Sequence, residues 1–208
     1  MILRVAYASC YVYSPAGESA LCARSRLLRA LLKAGDARFM RRYALRVSQQ
    51  TRSQALLGGF FHDRDLLVPV PGSAATRAGT WAAAQLAEEL VREGLGCGSW
   101  HGLQRSFAVR KSATAARGMR PSVALHFESL RMSLPAPQPA SVVLIDDVIT
   151  TGRTLLAAAA RASEMFPQAQ IRAFALLRTL GLVSDIARVL EPCRGEIRWT
   201  GSDARRTP

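Results

Sequence analysis

The feature that most constrains this chain is the thirteen-residue stretch from Val142 to Thr154, which reads VVLIDDVITTGRT. It begins with four apolar residues, and a run of this kind is typical of a strand buried on both faces of a parallel sheet. The segment 155–162 is rich in alanine and leucine, which favour a helix. We therefore expect Asp146 and Asp147 at the carboxyl end of a central strand, followed by a tight loop at 150–154 that leads into a helix.

The loop that follows the strand predicts an anion site. The first N–H groups of a helix have no partner within the helix, and the helix dipole places partial positive charge beside them. Gly152 allows the backbone to approach a phosphate closely. Thr150, Thr151 and Thr154 add hydroxyl donors. Arg153 adds a positive charge, so the loop favours a phosphate group as its ligand.

The two carboxylates before the loop need a different partner. Ionised Asp146 and Asp147 only accept hydrogen bonds, so they cannot bind the same phosphate. They can accept from sugar hydroxyls or face a hydrated divalent cation. A phosphate loop beside such acceptors describes a phosphorylated sugar. An ordinary buried strand that ends in a surface turn remains the alternative for a single motif.

Two other classes of phosphate-handling protein share the pattern of an apolar strand followed by acids. A P-loop ATPase needs a glycine-rich loop that ends in lysine and a hydroxyl residue. The chain has two lysines, Lys33 and Lys111, and neither follows such a loop. A phospho-acceptor domain carries its acids near the start of the domain, whereas here they follow about 140 residues. Both classes are set aside.

A second strand, loop and helix precede the motif. Residues 65–71, Asp-Leu-Leu-Val-Pro-Val-Pro, predict a strand that ends at its prolines, because proline does not continue a central strand. The small residues of 72–79 predict a loop, and 81–93 predicts a helix with one apolar face. The loop offers backbone N–H groups together with Ser73 and Arg77, which again favours an anion.

Positive charge is unevenly distributed. The net charge is +13, and residues 1–64 carry eleven Lys or Arg against three Asp or Glu. The densest cluster falls on the second of two predicted N-terminal helices, at Arg38, Arg41, Arg42 and Arg46. Either it is a solvated helix face or it contacts nucleic acid. The alternatives stay open on the sequence alone.

The length of 208 residues is enough for one α/β domain. We predict a basic, mainly helical N-terminal extension at 1–64, packed on a core domain at 65–208. A short strand at 2–8 is expected at the edge of the sheet. Another strand is expected at 170–177, parallel to the central one. The C-terminal part is expected to add a short helix at 182–190 and a last strand at 196–200.

No apolar run approaches the ~20 residues of a membrane span. The N-terminus has no long apolar region of the secretory type. We therefore expect a cytoplasmic protein that does not bind membranes.

The motif at 142–154 resembles the signature of type I phosphoribosyltransferases, which bind phosphoribosyl pyrophosphate, and all thirteen positions match. The resemblance implies an α/β fold with a parallel twisted sheet flanked by helices, similar to a Rossmann fold. It implies that Asp146 and Asp147 are the catalytic pair that contacts the ribose 2- and 3-hydroxyls, and that 150–154 wraps the 5-phosphate. It also implies Mg²⁺ as cofactor, held near the acids by substrate and water and not by direct protein ligands.

In the same family, a loop after an early strand holds the pyrophosphate, which assigns that role here to Gly72, Ser73 and Arg77. A plain surface turn is the alternative. A mobile basic loop also closes over the pyrophosphate in that family. The stretch 94–127 contains no acid, and 105–120 within it is the candidate for this loop. A disordered basic loop without such a role is its alternative. The candidate residues of this flexible basic loop are Arg105, Arg110, Lys111 and Arg117.

The order of features is similar to the ComF-like branch of the family, which is associated with DNA uptake in competent bacteria. Basic helices come first, then Val-Pro-Val-Pro, a long basic loop, the central motif and a strand ending Leu-Leu-Arg-Thr-Leu. The resemblance spans roughly residues 13–180. Relatives that salvage 6-oxopurines carry an aspartate where Thr150 stands. Threonine cannot act as a general acid or base at neutral pH, so those purines are disfavoured.

The resemblance implies a Mg²⁺-dependent phosphoribosyltransferase. Its ligand is phosphoribosyl pyrophosphate or a nucleoside monophosphate, and its acceptor is unidentified. The alternative is a weak or inactive module that binds phosphoribosyl pyrophosphate or a nucleotide in DNA uptake or nucleic-acid-linked regulation. In that case the basic N-terminal helices contact nucleic acid. The sequence leaves a homodimer open.

Overall fold

The computed structural model describes residues 4–53, 56–74, 81–110, 121–133, 138–180, 183 and 185–208. It is an α/β fold with a mostly parallel central sheet and helices on both faces. The described strands are β1 (Arg4–Tyr13), β2 (Leu66–Pro69), β3 (Gly98–Ser99), β4 (Leu103–Arg105), β5 (Leu130–Met132), β6 (Ser141–Ile149), β7 (Gln170–Thr179), β8 (Leu190–Trp199) and β9 (Ala204–Thr207). The described helices are α1 (Ala20–Ala34), α2 (Ala37–Arg52), α3 (Ala82–Arg92), α4 (Val123–Ser129) and α5 (Arg153–Met165).

The main sheet has the strand order β3-β2-β6-β7-β1-β8-β9. The first five strands in this order are parallel, and β8 and β9 continue the sheet in antiparallel fashion. The strand β6 pairs with β2 on one side and β7 on the other, so the predicted central strand is confirmed. The strands β4 and β5 form a separate antiparallel pair.

The apolar run of β6 serves two cores, one on each face of the sheet. Val142 and Leu144 pack toward α5, whereas Val143 and Ile145 pack toward α1, α2 and α3. Successive side chains of a strand point to opposite faces, which is why a strand buried on both sides needs a continuous apolar run. The helix α4 and the β4–β5 ribbon lie on the α5 side.

The turn between α1 and α2 is set by two neighbouring residues, Gly35 and Asp36. Gly35 ends α1 in the left-handed conformation, with φ +72°. Asp36 caps α2, and its carboxylate accepts from the backbone N–H of Phe39 at 2.6 Å. These are the preferred residue types for the two ends of adjoining helices.

The predicted edge position of the first strand is wrong. The strand β1 lies inside the sheet, parallel to β7 and antiparallel to β8, and Val5 and Tyr7 are buried. Its local pattern identifies a strand but not its neighbours, which come from the far end of the chain. The division of the chain at residue 64 stays a prediction, although β1 belongs to the central sheet.

The C-terminal part also differs from expectation. The described residues of 182–190 are not helical, and the expected strand at 196–200 is the end of the longer β8, which is followed by β9. The strand reaches further because it pairs along most of β1. Among the helices that the structure describes, none is long and apolar enough to cross a membrane.

Candidate functional site

Two loops meet at the carboxyl edge of the sheet, one after β2 and one after β6. These strands are parallel neighbours, and the backbone N–H of Val70 donates to the carbonyl of Ile145 at 2.8 Å. The helix α3 follows β2 on one face, and α5 follows β6 on the other. Where connections diverge in this way, a crevice opens beyond the strand ends, and α/β proteins bind ligands in it. A cleft of about 370 Å³ lies there.

The cleft brings together most of the predicted site residues. Its volume falls in the range of about 300 to 1,000 Å³ that is usual for small-molecule sites. The predicted residues that line it are Asp146, Asp147, Thr150, Thr151, Gly152, Arg153, Thr154, Gly72, Ser73, Arg105 and Arg110. The three predicted residues Arg77, Lys111 and Arg117 lie outside the described residues.

The loop after β6 turns at Gly152, where the backbone is left-handed, with φ +88° and ψ 7°. A Cβ atom at this position would lie 2.7 Å from Cγ2 of Ile197 in β8. Both the backbone angle and the crowding therefore require glycine. The helix α5 begins at the next residue, and within the described chain no side chain caps it. The N–H groups of its first turn remain available to an anion.

The two carboxylates lie near the end of β6 and differ in their surroundings. Asp147 forms an ion pair with Lys33 of α1. The Lys33 side chain is 47% exposed and lines the same cleft, so this pair lies in the cleft wall and not in the core. Burial raises the pKa of Asp146 to about 6, although the charges of Lys33 and Arg105 act in the opposite direction. Asp146 is therefore largely ionised at neutral pH.

The loop after β2 is tied to the segment around β4 through its carbonyl groups. The carbonyl of Gly72 accepts from Nε of Arg105. The carbonyl of Ser73 accepts from the backbone N–H of Val109 at 2.9 Å. These contacts fix the position of the loop relative to the far wall of the cleft.

The prediction that Arg105 belongs to a mobile basic loop is wrong. It is the last residue of β4 and only 5% exposed. Besides Gly72, its guanidinium donates to the hydroxyl of Ser129 and to Nδ1 of His126. Burial lowers the pKa of Arg105 to about 10, and the charge of Asp146 opposes that change. Arg105 therefore stays charged at neutral pH and is a fixed cation of the site.

Arg153 lines the cleft, but its guanidinium binds another part of the chain. Its Nε donates to Oδ1 of Asp203 at 2.5 Å, and Nη2 contacts the other carboxylate oxygen. This hydrogen-bonded pair raises the pKa of Arg153 and lowers that of Asp203. Through these contacts Arg153 connects the start of α5 to the turn after β8. They do not support the predicted role of Arg153 as a cation that binds phosphate.

Among the charged and aromatic residues that line the cleft, four were not predicted from the sequence: Tyr13, Arg29, Lys33 and His126. The Arg29 guanidinium lies over the Tyr13 ring, 5.3 Å from its centroid. Arg29 and Lys33 are four residues apart and share one face of α1, a spacing that the sequence did offer as a signal. His126 is isolated in the sequence, and nothing local connects it to the motif.

The balance of charge favours an anionic ligand. The described lining carries two carboxylates, of which Asp147 is paired with Lys33, and three further cations, Arg29, Arg105 and Arg110, whereas the charge of Arg153 is matched by Asp203. Mg²⁺ prefers oxygen ligands, which the two carboxylates offer. Within the described residues, no group of three or more His, Cys, Asp or Glu is placed to hold a metal ion.

The chain was compared with models of protein families and with curated proteins, and neither comparison found a match.

Proposed function

We propose that this chain is a Mg²⁺-dependent phosphoribosyltransferase, which binds phosphoribosyl pyrophosphate and transfers its phosphoribosyl group to an acceptor with release of pyrophosphate. One observation carries the proposal. A helix N-terminus that turns at a glycine, two strand-end carboxylates and a loop from the neighbouring strand all line one cleft at the carboxyl edge of the sheet. Each part has the chemistry to bind one part of that ligand.

The 5-phosphate fits the loop at 150–154. The N–H groups of the first turn of α5 donate hydrogen bonds, and the helix dipole adds partial positive charge. The hydroxyls of Thr150, Thr151 and Thr154 line the same space and supply further donors. A tetrahedral anion needs several donors around it, which this loop provides.

The ribose fits beside the two carboxylates. Asp146 and Asp147 accept hydrogen bonds from adjacent hydroxyls, and the ion pair with Lys33 holds Asp147 in place. During transfer, the bond between C1 and the pyrophosphate oxygen breaks, and positive charge develops on the sugar ring. A nucleophilic nitrogen of the acceptor then bonds to C1 and loses its proton to solvent. Two negative charges near the ring stabilise the developing positive charge.

The leaving pyrophosphate fits the loop at Gly72 and Ser73. Arg105 is fixed against this loop, and Lys33 and Arg110 line the same cleft. Their charges favour the negative charge that accumulates on pyrophosphate as the bond breaks. A bound Mg²⁺ would add to this neutralisation and orient the pyrophosphate oxygens.

Isothermal titration calorimetry with phosphoribosyl pyrophosphate and Mg²⁺ tests the proposal. We expect saturable binding to the natural chain and an affinity about tenfold or more weaker in the Asp146→Asn/Asp147→Asn variant, since its hydrogen bonds are no longer made to charged groups. Asp63→Asn is the matched control, because Asp63 is exposed and does not line the cleft. No binding, or equal binding by the double variant, would contradict the proposal.

A second candidate function is a binding module that keeps the cleft but contacts nucleic acid. The observation that favours it is the surface of α2, where Arg38, Arg41 and Arg42 are exposed and share one helical face. Arg46, from the same predicted cluster, packs over the ring of Tyr43 at 5.3 Å and is half-buried. Release of pyrophosphate in the presence of a panel of nucleobases would favour the enzyme. Salt-dependent DNA binding without such release would favour the module.

A further inference from the structure

A chain of hydrogen bonds connects the two loops of the cleft through buried side chains. Nε of Arg105 donates to the carbonyl of Gly72. Nη2 of Arg105 donates to Nδ1 of His126 at 3.2 Å. The other ring nitrogen of His126, Nε2, lies 3.4 Å from Oγ1 of Thr154. His126 is 2% exposed. The loop after β2 is thereby linked to the first turn of α5.

The donors in this series of hydrogen bonds determine which nitrogen of the His126 imidazole carries the proton. A guanidinium has only donors, so Nδ1 of His126 must accept and carries no proton. A neutral imidazole then has its proton on Nε2, from which it donates to Oγ1 of Thr154. The opposite arrangement would set two donors against each other between Arg105 and His126, inside a buried site.

The surroundings keep the ring neutral. Burial lowers the pKa of His126 to about 4, and the charges of Arg105 and Arg153 act in the same direction. A protonated ring would also place a second donor against the Arg105 guanidinium. Above about pH 5 the ring therefore has a single proton, and that proton is on Nε2.

The series of hydrogen bonds continues into the cleft with the same order of donor and acceptor. Once Oγ1 of Thr154 accepts from Nε2 of His126, its own hydrogen is left to donate to something else. Thr154 lines the cleft at the start of α5, among the backbone N–H groups of the anion site. A hydroxyl oriented in this way selects a ligand atom that accepts hydrogen bonds, such as a phosphate oxygen.

We propose that Arg105 and His126 are positioning residues for the phosphate: they fix the imidazole with its proton on Nε2, and so turn the Thr154 hydroxyl into a donor directed at the phosphate. The inference rests on the proposed function for the identity of the phosphate as part of a phosphorylated sugar. It adds a role for two side chains of β4 and α4, which lie outside the motif that predicted the loop. It also gives a reason for the burial of the Arg105 side chain.

Two amide variants separate this role from simple packing. In His126→Gln, the side-chain amide nitrogen reaches the place of Nε2 and keeps the donor toward Thr154. In His126→Asn, the amide oxygen replaces Nδ1 and keeps the acceptor for Arg105, but nothing reaches Thr154. If His126 only satisfied the buried guanidinium, His126→Asn would bind phosphate at least as well as His126→Gln.

The probe is ribose 5-phosphate, and its affinity is measured by calorimetry on the full chain. We expect His126→Asn to bind about tenfold more weakly than His126→Gln, since one hydrogen bond to a charged group is missing. In a Thr154→Val background, which has no hydroxyl to orient, the two amide variants should bind equally. Thr154→Ser retains the hydroxyl and should stay within about threefold of the natural chain. Equal binding by the two amide variants in the natural background overturns the inference.

The natural chain allows a second test that needs no substitution at the site. The sequence has three histidines, so ¹⁵N-labelled imidazoles are readily assigned through His62→Gln and His101→Gln. We expect the His126 ring to show its proton on Nε2 from about pH 8 to pH 5. A proton on Nδ1, or a doubly protonated ring at neutral pH, overturns the inference even if the amide variants do not fold.

The two proposals fail in distinguishable ways. If the chain binds ribose 5-phosphate as described but neither binds phosphoribosyl pyrophosphate nor releases pyrophosphate, the positioning role stands and the transferase is wrong. If phosphoribosyl pyrophosphate binds and turns over while the ring carries its proton on Nδ1, the positioning role is wrong and the transferase stands. No binding of either phosphate compound contradicts both.

Discussion

Gly152 carries two constraints that can be separated by substitution. We expect Gly152→Ala to lower the free energy of unfolding by about 1–2 kcal/mol for the left-handed backbone, and by about 1–3 kcal/mol more for the crowding against Ile197. Gly201→Ala is the matched control, because Gly201 has φ +92° and nothing within 4 Å of the added Cβ. Urea unfolding followed by circular dichroism measures both. Equal destabilisation of the two variants would show that Ile197 imposes no constraint.

Asp146 links stability to pH. Its pKa is raised to about 6 from an ordinary value of 3.8, so the folded chain holds this proton more tightly than the unfolded chain. Its contribution to the free energy of unfolding therefore falls as pH rises between about 4 and 6, and the ionised group is destabilising above that range. We expect Asp146→Asn to be more stable than the natural chain at pH 7.5 by about 1–3 kcal/mol.

The pH dependence of that difference is the test. Thermal unfolding of the natural chain and of Asp146→Asn should converge as pH falls toward 4, where the natural carboxyl is protonated as well. Asp63→Asn, at an exposed position, should follow the natural chain throughout. A variant less stable than the natural chain at pH 7.5 would mean that Lys33 and Arg105 outweigh the cost of burial.

At the scale of single elements, a buried ion pair joins β7 to Asp65, the residue that precedes β2. The Asp65 carboxylate accepts from Nη2 of Arg172 at 2.5 Å and from the backbone N–H of His62 at 2.7 Å. Asp65 is fully buried, and burial lowers the pKa of Arg172. We expect Asp65→Asn to destabilise the fold by about 3–5 kcal/mol, because it leaves the buried guanidinium without a counter-charge. Denaturant unfolding measures the change.

Asp63→Asn again provides the comparison, since the same chemical change occurs two residues away at an exposed position. It should alter the free energy of unfolding by less than about 0.5 kcal/mol. If Asp65→Asn behaved in the same way, the guanidinium of Arg172 would have to find sufficient partners in Ser141 and the carbonyl of Phe60, to which it also donates.

The elements that position the site differ in how far the sequence predicts them. The strand β6, the turn at Gly152 and the helix α5 follow from one contiguous stretch, because strand burial, the left-handed turn and helix propensity are local properties. The position of β1 is not local, since its partners begin more than 150 residues later. Neighbours of this kind are chosen by the packing of the whole sheet.

The distribution of charged residues along the sequence predicted the roles of the site residues least well. A stretch without acids predicted exposed cations, yet Arg105 is buried because Gly72, Ser129 and His126 accept its hydrogen bonds. These acceptors lie 21 to 33 residues away in sequence, so no local pattern reveals them. Arg153 was predicted to bind phosphate, but in the folded chain its guanidinium pairs with Asp203, which is distant in sequence.

At the scale of the whole molecule, binding to polyanions such as DNA is one of the explanations that the sequence leaves open for the net charge of +13. If α2 is the DNA-binding surface, replacing Arg38, Arg41 and Arg42 with glutamine should weaken DNA binding. It should also reduce the salt dependence, by up to about 0.9 in the slope of log K against log salt for each DNA phosphate that an arginine no longer neutralises. Fluorescence anisotropy with a short duplex over a salt series measures both quantities.

A second triple variant controls for overall charge. Replacing Arg4, Arg64 and Arg188 with glutamine removes the same charge from exposed positions that are not on α1 or α2. We expect the slope to change less in this variant. Equal changes in both would show that DNA responds to the total charge, with no defined surface.

The position of β1 affects how the chain is synthesised. A ribosome adds about 5 to 20 residues per second, and Ala6 pairs with Arg172 and Glu196. The nascent strand is therefore without its strand partners for roughly ten seconds or more, with its apolar side chains exposed to water. During that interval its unpaired backbone and exposed apolar side chains can pair wrongly with other strands, and β1 joins the sheet only after β7 and β8 have been synthesised.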